Sequence, residues 1–126
     1  MPGAKTHSVN FRILDRPDLP VRKFAAGTKI LSEGGTAAEM FLLKKGRVQI
    51  LVRGKAIEEV GAGGIFGEMA LIDQGVRGAT VTALDDCEAV PVDERLFVSL
   101  VQDAPYFALD VMRTLVTRIR TLDRLL

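Results

Sequence analysis

Apolar residues fall along this chain in short runs separated by glycine, and the spacing changes abruptly near residue 93. From Val21 onward, the runs Val21–Ala25, Lys29–Ser32, Met40–Lys44, Arg47–Val52 and Lys55–Val60 read as strands. Turns at Ala26-Gly27, Gly34-Gly35, Lys45-Gly46 and Arg53-Gly54 divide them. Two more strand-like runs, Ala79–Leu84 and Cys87–Val92, follow a glycine-rich central loop. No helical segment lies between these strands to carry a parallel crossover, so the pattern predicts an antiparallel barrel or jelly roll.

Beyond residue 92 the period becomes helical. Asp93-Glu94 suits a helix N-terminus, and Leu96, Phe97, Leu100 and Val101 follow at helical spacing. After Pro105, residues Leu109, Met112, Leu115, Val116, Ile119, Leu122 and Leu126 draw one broad apolar stripe over a helix of about 20 residues. That stripe either packs on the barrel of its own chain or forms a seam with a second copy, a homodimer through the 105–126 helix. Asp123 interrupts a strict heptad and leaves both arrangements open. Residues 1–20 are polar and punctuated by Pro2, Pro17 and Pro20, which predicts a loose lead-in with a short ordered piece around Val9–Leu14. The expected organisation is one domain: lead-in 1–20, barrel 21–92 and helices 93–126. Its class is mainly β with C-terminal helices.

Composition narrows the chemistry. A chain of 126 residues can bury a core without covalent staples. Its net charge of +1 supplies no field to gather nucleic acid or an anionic membrane, so neither contact is expected. Cys87 is the only cysteine, which excludes an internal disulfide and a cysteine-cluster metal site. His7 is the only histidine, whereas a metal-dependent jelly-roll enzyme of cupin type needs several. No enzyme activity, metal or cofactor is therefore expected. The N-terminus lacks a signal-peptide core and no stretch reaches the ~18 apolar residues of a membrane span, so a soluble cytoplasmic protein is expected.

The chemistry gathers in residues 64–80. Glycines at 61, 63, 64 and 67 let backbone N–H groups approach an anion, and a short helix from about Glu68 would turn its free N–H groups toward the same spot. Arg77 could reach that anion with a fork of charge-assisted hydrogen bonds. A carboxylate beside a phosphate would repel it. If Glu68 instead accepts from a sugar hydroxyl while Arg77 neutralises the phosphate, the two grip opposite edges of a ribose cyclic phosphate. Taken singly, the glycine-rich turn also fits an ordinary strand connection. Glu68 and Arg77 alone also fit a solvated surface pair worth about 0–1 kcal/mol.

The run Phe66-Gly67-Glu68-Met69-Ala70-Leu71-Ile72, with Arg77 and then Gly78-Ala79-Thr80-Val81-Thr82-Ala83, resembles the phosphate-binding cassette of cyclic nucleotide-binding domains. Phe24–Ile30, Glu33-Gly34, Met40–Val48 and Asp86–Ala89 are similar to the flanking strands and turns of that family, of catabolite-activator and protein-kinase-regulatory-subunit type. The resemblance covers residues 21–126. It implies that Glu68 binds the ribose 2′-hydroxyl and Arg77 the exocyclic phosphate oxygens. Gly67, Met69 and Ala70 would offer backbone contacts, and Gly78 and Ala79 would lie beside phosphate and purine. The Met69 and Leu71 side chains are expected to fill the core behind the cassette, and Cys87 to be a small buried strand residue.

Val76 stands where many relatives carry proline, Gly78 where they carry alanine, serine or threonine, and Gly35 where aspartate is common. The first two departures would loosen the loop that presents Arg77, because glycine costs more backbone entropy to order. Gly78 also lacks the hydroxyl that helps bind guanine in relatives preferring cGMP, which favours cAMP over cGMP. The resemblance implies a sensor or regulatory module, with cAMP or cGMP as ligand and no cofactor. Its terminal helices, 93–101 and 105–126, would relay occupancy to a downstream protein partner that the sequence leaves unknown, and no output segment is seen after Leu126. The alternative is a ligand-free barrel of the same fold acting as an interaction or dimerisation domain.

Overall fold

The computed structural model describes residue 13 and residues 16–72 and 75–125. The ordered piece expected around Val9–Leu14 lies outside them apart from Ile13, which is buried against the helices.

Seven runs form strands close to where the apolar pattern puts them. They are β1 (Arg22–Phe24), β2 (Lys29–Leu31), β4 (Met40–Lys45), β5 (Val48–Val52), β6 (Lys55–Val60), β9 (Thr80–Ala83) and β10 (Cys87–Val92). Three two-residue strands carry no periodic signal: β3 (Thr36–Ala37), β7 (Ile65–Phe66) and β8 (Gly75–Val76). A single helical turn, α1 (Met69–Ile72), interrupts the central loop, and α2 (Glu94–Asp103) and α3 (Tyr106–Leu125) follow the barrel.

All strand pairs are antiparallel. One sheet has the order β1-β10-β4-β7, a second β2-β9-β5-β6, and β3 pairs with β8 alone. This is a jelly-roll barrel, mainly β, with C-terminal helices. Strand β4 shows why both faces of the first sheet are apolar. Phe41 and Leu43 point into the barrel with Val48, Ile50, Phe66 and Val81, while Met40 and Leu42 point outward to meet Leu100, Phe107 and Val111 of the helices. Alternation of side chains along the strand splits one apolar run between two cores. The Phe41 and Phe66 rings stack 5.1 Å apart across the β4–β7 pair, fixing the strand that leads into the central loop.

Helix α2 starts where its sequence signals it: the Asp93 side chain accepts from the Leu96 N–H at 2.8 Å. Helix α3 presents two faces. Its inward face carries Phe107, Val111, Thr114 and Arg118, all buried, whereas Met112, Val116 and Ile119 of the predicted stripe are exposed. The apolar stripe spans two faces of the helix, and the inward one includes an arginine.

Candidate functional site

A cavity of about 250 Å³ opens between the second sheet, the central loop and the C-terminal half of α3. Leu31, Ile50, Val52, Ile57, Val81 and Leu122 give it apolar walls, and Glu68, Arg77 and Arg118 supply its charged side chains. Of the residues singled out in the sequence, Gly67, Glu68, Met69, Arg77, Gly78 and Ala79 all line this cavity. Ala70 lies next to them in α1. Met69 departs from expectation: its side chain is exposed at the cavity rather than buried behind the cassette, where Leu71 is. The first position of a one-turn helix has no preceding turn to cover it.

Gly67 and Arg77 fit together closely. Gly67 has φ +72°, and a Cβ there would lie 2.8 Å from Arg77 Nη1 and 3.1 Å from Leu31 Cδ1. Without that Cβ, Arg77 Nη1 donates to the Gly67 carbonyl at 3.2 Å. The Arg77 backbone is also fixed: its N–H donates to the Gly35 carbonyl at 2.7 Å, and its carbonyl accepts from Gly34 N–H at 2.9 Å. The pairing of β3 with β8 extends this anchor. Val76 and Gly78 therefore flank a residue whose backbone is already held from the opposite turn.

Among the described residues, Arg77 Nε is buried with no hydrogen-bond partner. A guanidinium N–H withdrawn from water and unpaired is costly, so this one stands ready for an acceptor. Burial pulls the Arg77 titration downward, and the Glu39 and Glu68 carboxylates oppose that pull.

Glu68 is buried and its charge is not left alone. Arg118 Nη1, from α3, donates to Glu68 Oε1. The same guanidinium donates from Nε to Glu58 Oε1 at 2.8 Å, from Nη2 to Glu58 Oε2 at 3.2 Å, and from Nη2 to the Ile65 carbonyl. Burial raises the Glu68 carboxyl above the ordinary carboxylate value, while the Arg118 charge draws it back. Sequence reasoning missed Arg118. A charged residue within a long helix reads as solvent-facing, and only its packing against the barrel shows otherwise.

Chemically, the cavity offers an unpaired guanidinium N–H, a carboxylate acceptor and apolar walls. That set suits a small anion bearing a hydroxyl and a flat apolar surface. No group of side chains among the described residues could hold a metal ion, and no helix there is long and apolar enough to cross a membrane.

Comparison with known proteins agrees with the fold. The profile of the cyclic nucleotide-binding domain family matches residues 21–104. The chain is 26% identical over 107 residues to the cyclic AMP receptor protein of Thermus thermophilus, covering 81% of this chain and 50% of that protein. It is 31% identical over 77 residues to cGMP-dependent protein kinase, isozyme 1, of Drosophila melanogaster, covering 60% of this chain and 10% of the kinase. The solved structure of cAMP-bound PfPKA-R superposes with a TM-score of 0.75 at 27% identity, covering 85% of this chain and 37% of that one. The chain thus spans half or less of the length of these relatives.

Proposed function

This chain belongs to the cyclic nucleotide-binding domain family, and we propose that its cavity binds cAMP and that α2 and α3 relay occupancy. Arg77 pairs with the exocyclic phosphate oxygens through its fork, Glu68 accepts from the ribose 2′-hydroxyl, and the base lies against Val81, Ile57 and Leu122. Gly67, Met69, Ala70, Gly78 and Ala79 contribute backbone contacts around sugar and phosphate. The observation that carries this reading is the unpaired, buried Nε of Arg77 in the wall of a cavity that also holds Glu68. The absence of a hydroxyl at Gly78 supports cAMP over cGMP, and the module acts as a regulatory domain rather than an enzyme. A cytoplasmic location is part of this reading. The exposed line of Met112, Val116 and Ile119 supports a homodimer through α3.

A thermal melt with cAMP, cGMP and linear AMP tests the reading. At 100 times the dissociation constant a ligand adds about 2.7 kcal/mol, a rise on the order of 10 °C for a domain of this size. A rise with cAMP, smaller with cGMP and absent with AMP, is expected. No rise with any of them at millimolar concentration, in protein stripped of nucleotide, would favour a second reading: a ligand-free barrel serving as an interaction domain. One observation supports that alternative, since Arg118 already occupies one oxygen of Glu68.

A further inference from the structure

We infer that the α3 seam between two copies of this chain runs antiparallel, with Asp123 of each copy set beside Arg113 of the other. This rests on the homodimer proposed through α3 and deepens it. Met112, Val116, Ile119 and Asp123 follow one another at spacings of four, three and four residues, the alternation of a two-helix seam. The first three are 53%, 46% and 57% exposed, and Asp123 is exposed at the end of the same line. The barrel takes the other side of the helix, with Phe107, Val111, Thr114 and Arg118 buried against it.

A fourth apolar residue would let the seam close in either direction, but a carboxylate discriminates. In a parallel seam each position meets its own copy across the two-fold axis, so Asp123 would face Asp123. Like charges brought together in an interface oppose association. Among the described residues no ion pair reaches Asp123, so nothing in its own chain neutralises it. An antiparallel seam centred between Thr117 and Arg118 instead sets Val116 against Ile119 of the other copy, and Met112 against its Asp123. Arg113, exposed and next to Met112 in the chain, then lies beside that carboxylate. Within its own chain Arg113 is paired with Asp110 at 4.0 Å, the limit of an ion pair. Two-fold symmetry repeats the Asp123–Arg113 contact, and one polar position in an apolar line fixes the orientation. Leu122 lines the cavity and adjoins Asp123, so each cavity comes to lie against the start of the other copy's α3.

Single cysteines in the full chain read the direction, with the buried Cys87 as background. A parallel seam brings Met112→Cys onto its own copy, and oxidation joins the two chains. An antiparallel seam holds those two positions about 16 Å apart by the helix rise, beyond the reach of a disulfide. Val116→Cys mixed with Ile119→Cys then gives a mixed disulfide. The expected result is that mixed disulfide and no bond from Met112→Cys. Asp123→Asn supplies a second readout by analytical ultracentrifugation. It should weaken the antiparallel dimer about three- to tenfold through loss of two exposed ion pairs, whereas relief of a carboxylate–carboxylate contact would tighten a parallel one. Self-linking of Met112→Cys, or a tighter Asp123→Asn dimer, overturns the antiparallel arrangement and leaves the homodimer standing. A wild type that stays monomeric at millimolar concentration overturns both. The substituted residues are all exposed, so the variants should fold as wild type does.

Discussion

Arg118 and Glu68 lie 50 positions apart in the chain and meet as a buried ion pair, each with a side chain 4% exposed. The pair joins a helix to the loop that carries the candidate ligand contacts. Breaking a buried pair from one side leaves an uncompensated charge, so each partner's loss has consequences beyond its own contacts.

Arg77→Ala should lower cAMP affinity ten- to a hundredfold, the loss of a charge-assisted contact of about 1.5–3 kcal/mol. The ligand-free fold should survive, since Arg77 makes one side-chain hydrogen bond and leaves Nε unpaired. Titration calorimetry checks this, and wild-type affinity in the variant would remove Arg77 from the site.

Gly67→Ala should cost stability and binding together. The alanine must adopt φ +72°, and its Cβ would press on Arg77 Nη1. A strained backbone of this kind costs about 1–3 kcal/mol, so the ligand-free melting temperature should fall by several degrees. A melt and a cAMP titration of the same sample separate the two effects. An unchanged affinity would mean that Arg77 tolerates displacement.

Asp93→Ala removes the side-chain acceptor for Leu96 N–H and should destabilise the domain by about 1 kcal/mol, a few degrees in melting temperature. Asp93 does not line the cavity, so intrinsic cAMP affinity should stay as in wild type. Chemical denaturation read by circular dichroism measures the first, and a loss of affinity would reveal coupling through α2.

The pH dependence of stability carries the sign of the Glu68 shift. Burial raises this carboxyl in the folded state, so between the unfolded and the folded value the native protein holds a proton that the unfolded chain has released, and above both Glu68 is ionised beside Arg118. The stabilisation from that proton is present below the unfolded carboxylate value and is lost as pH rises through the folded one. Glu68→Gln cannot titrate. Its stability relative to wild type should therefore improve from acid toward neutral pH, and a difference independent of pH in urea unfolding would refute the raised value.

Ile119→Lys places a charge within the exposed line of Met112, Val116 and Ile119. If α3 forms a seam between two copies, wild type should run as a dimer by light scattering and the variant as a monomer. A monomeric wild type would leave that face to another partner.

How much was legible in the sequence depended on whether a residue's role was periodic. Strands such as Lys55–Val60 and Cys87–Val92 showed their full extent because apolar side chains recur and glycine turns bound them. The pairs β3–β8 and β4–β7 were silent, since two residues cannot establish a period. Glu68 and Arg77 stood out from the glycine-rich run around them. Arg118 did not, because its significance lies in Glu58, Ile65 and Glu68, all distant in sequence. On α3 the apolar residues mark a stripe, but the line that is buried includes Thr114 and Arg118, whose polar groups are satisfied after packing.

The reciprocal hydrogen bonds between Arg77 and the Gly34-Gly35 turn give the loop a companion it must move with. Glu33 extends the tether, its N–H donating to Thr80 Oγ1 at 3.1 Å and its carboxylate accepting from Arg53 N–H at 3.0 Å. Withdrawing Arg77 from the cavity is thus a concerted displacement of two chain segments. The amides of Gly34 and Arg77 should exchange with solvent deuterium at matching rates, and a fluorophore at Ser32 would report on cavity opening from a point that does not line it.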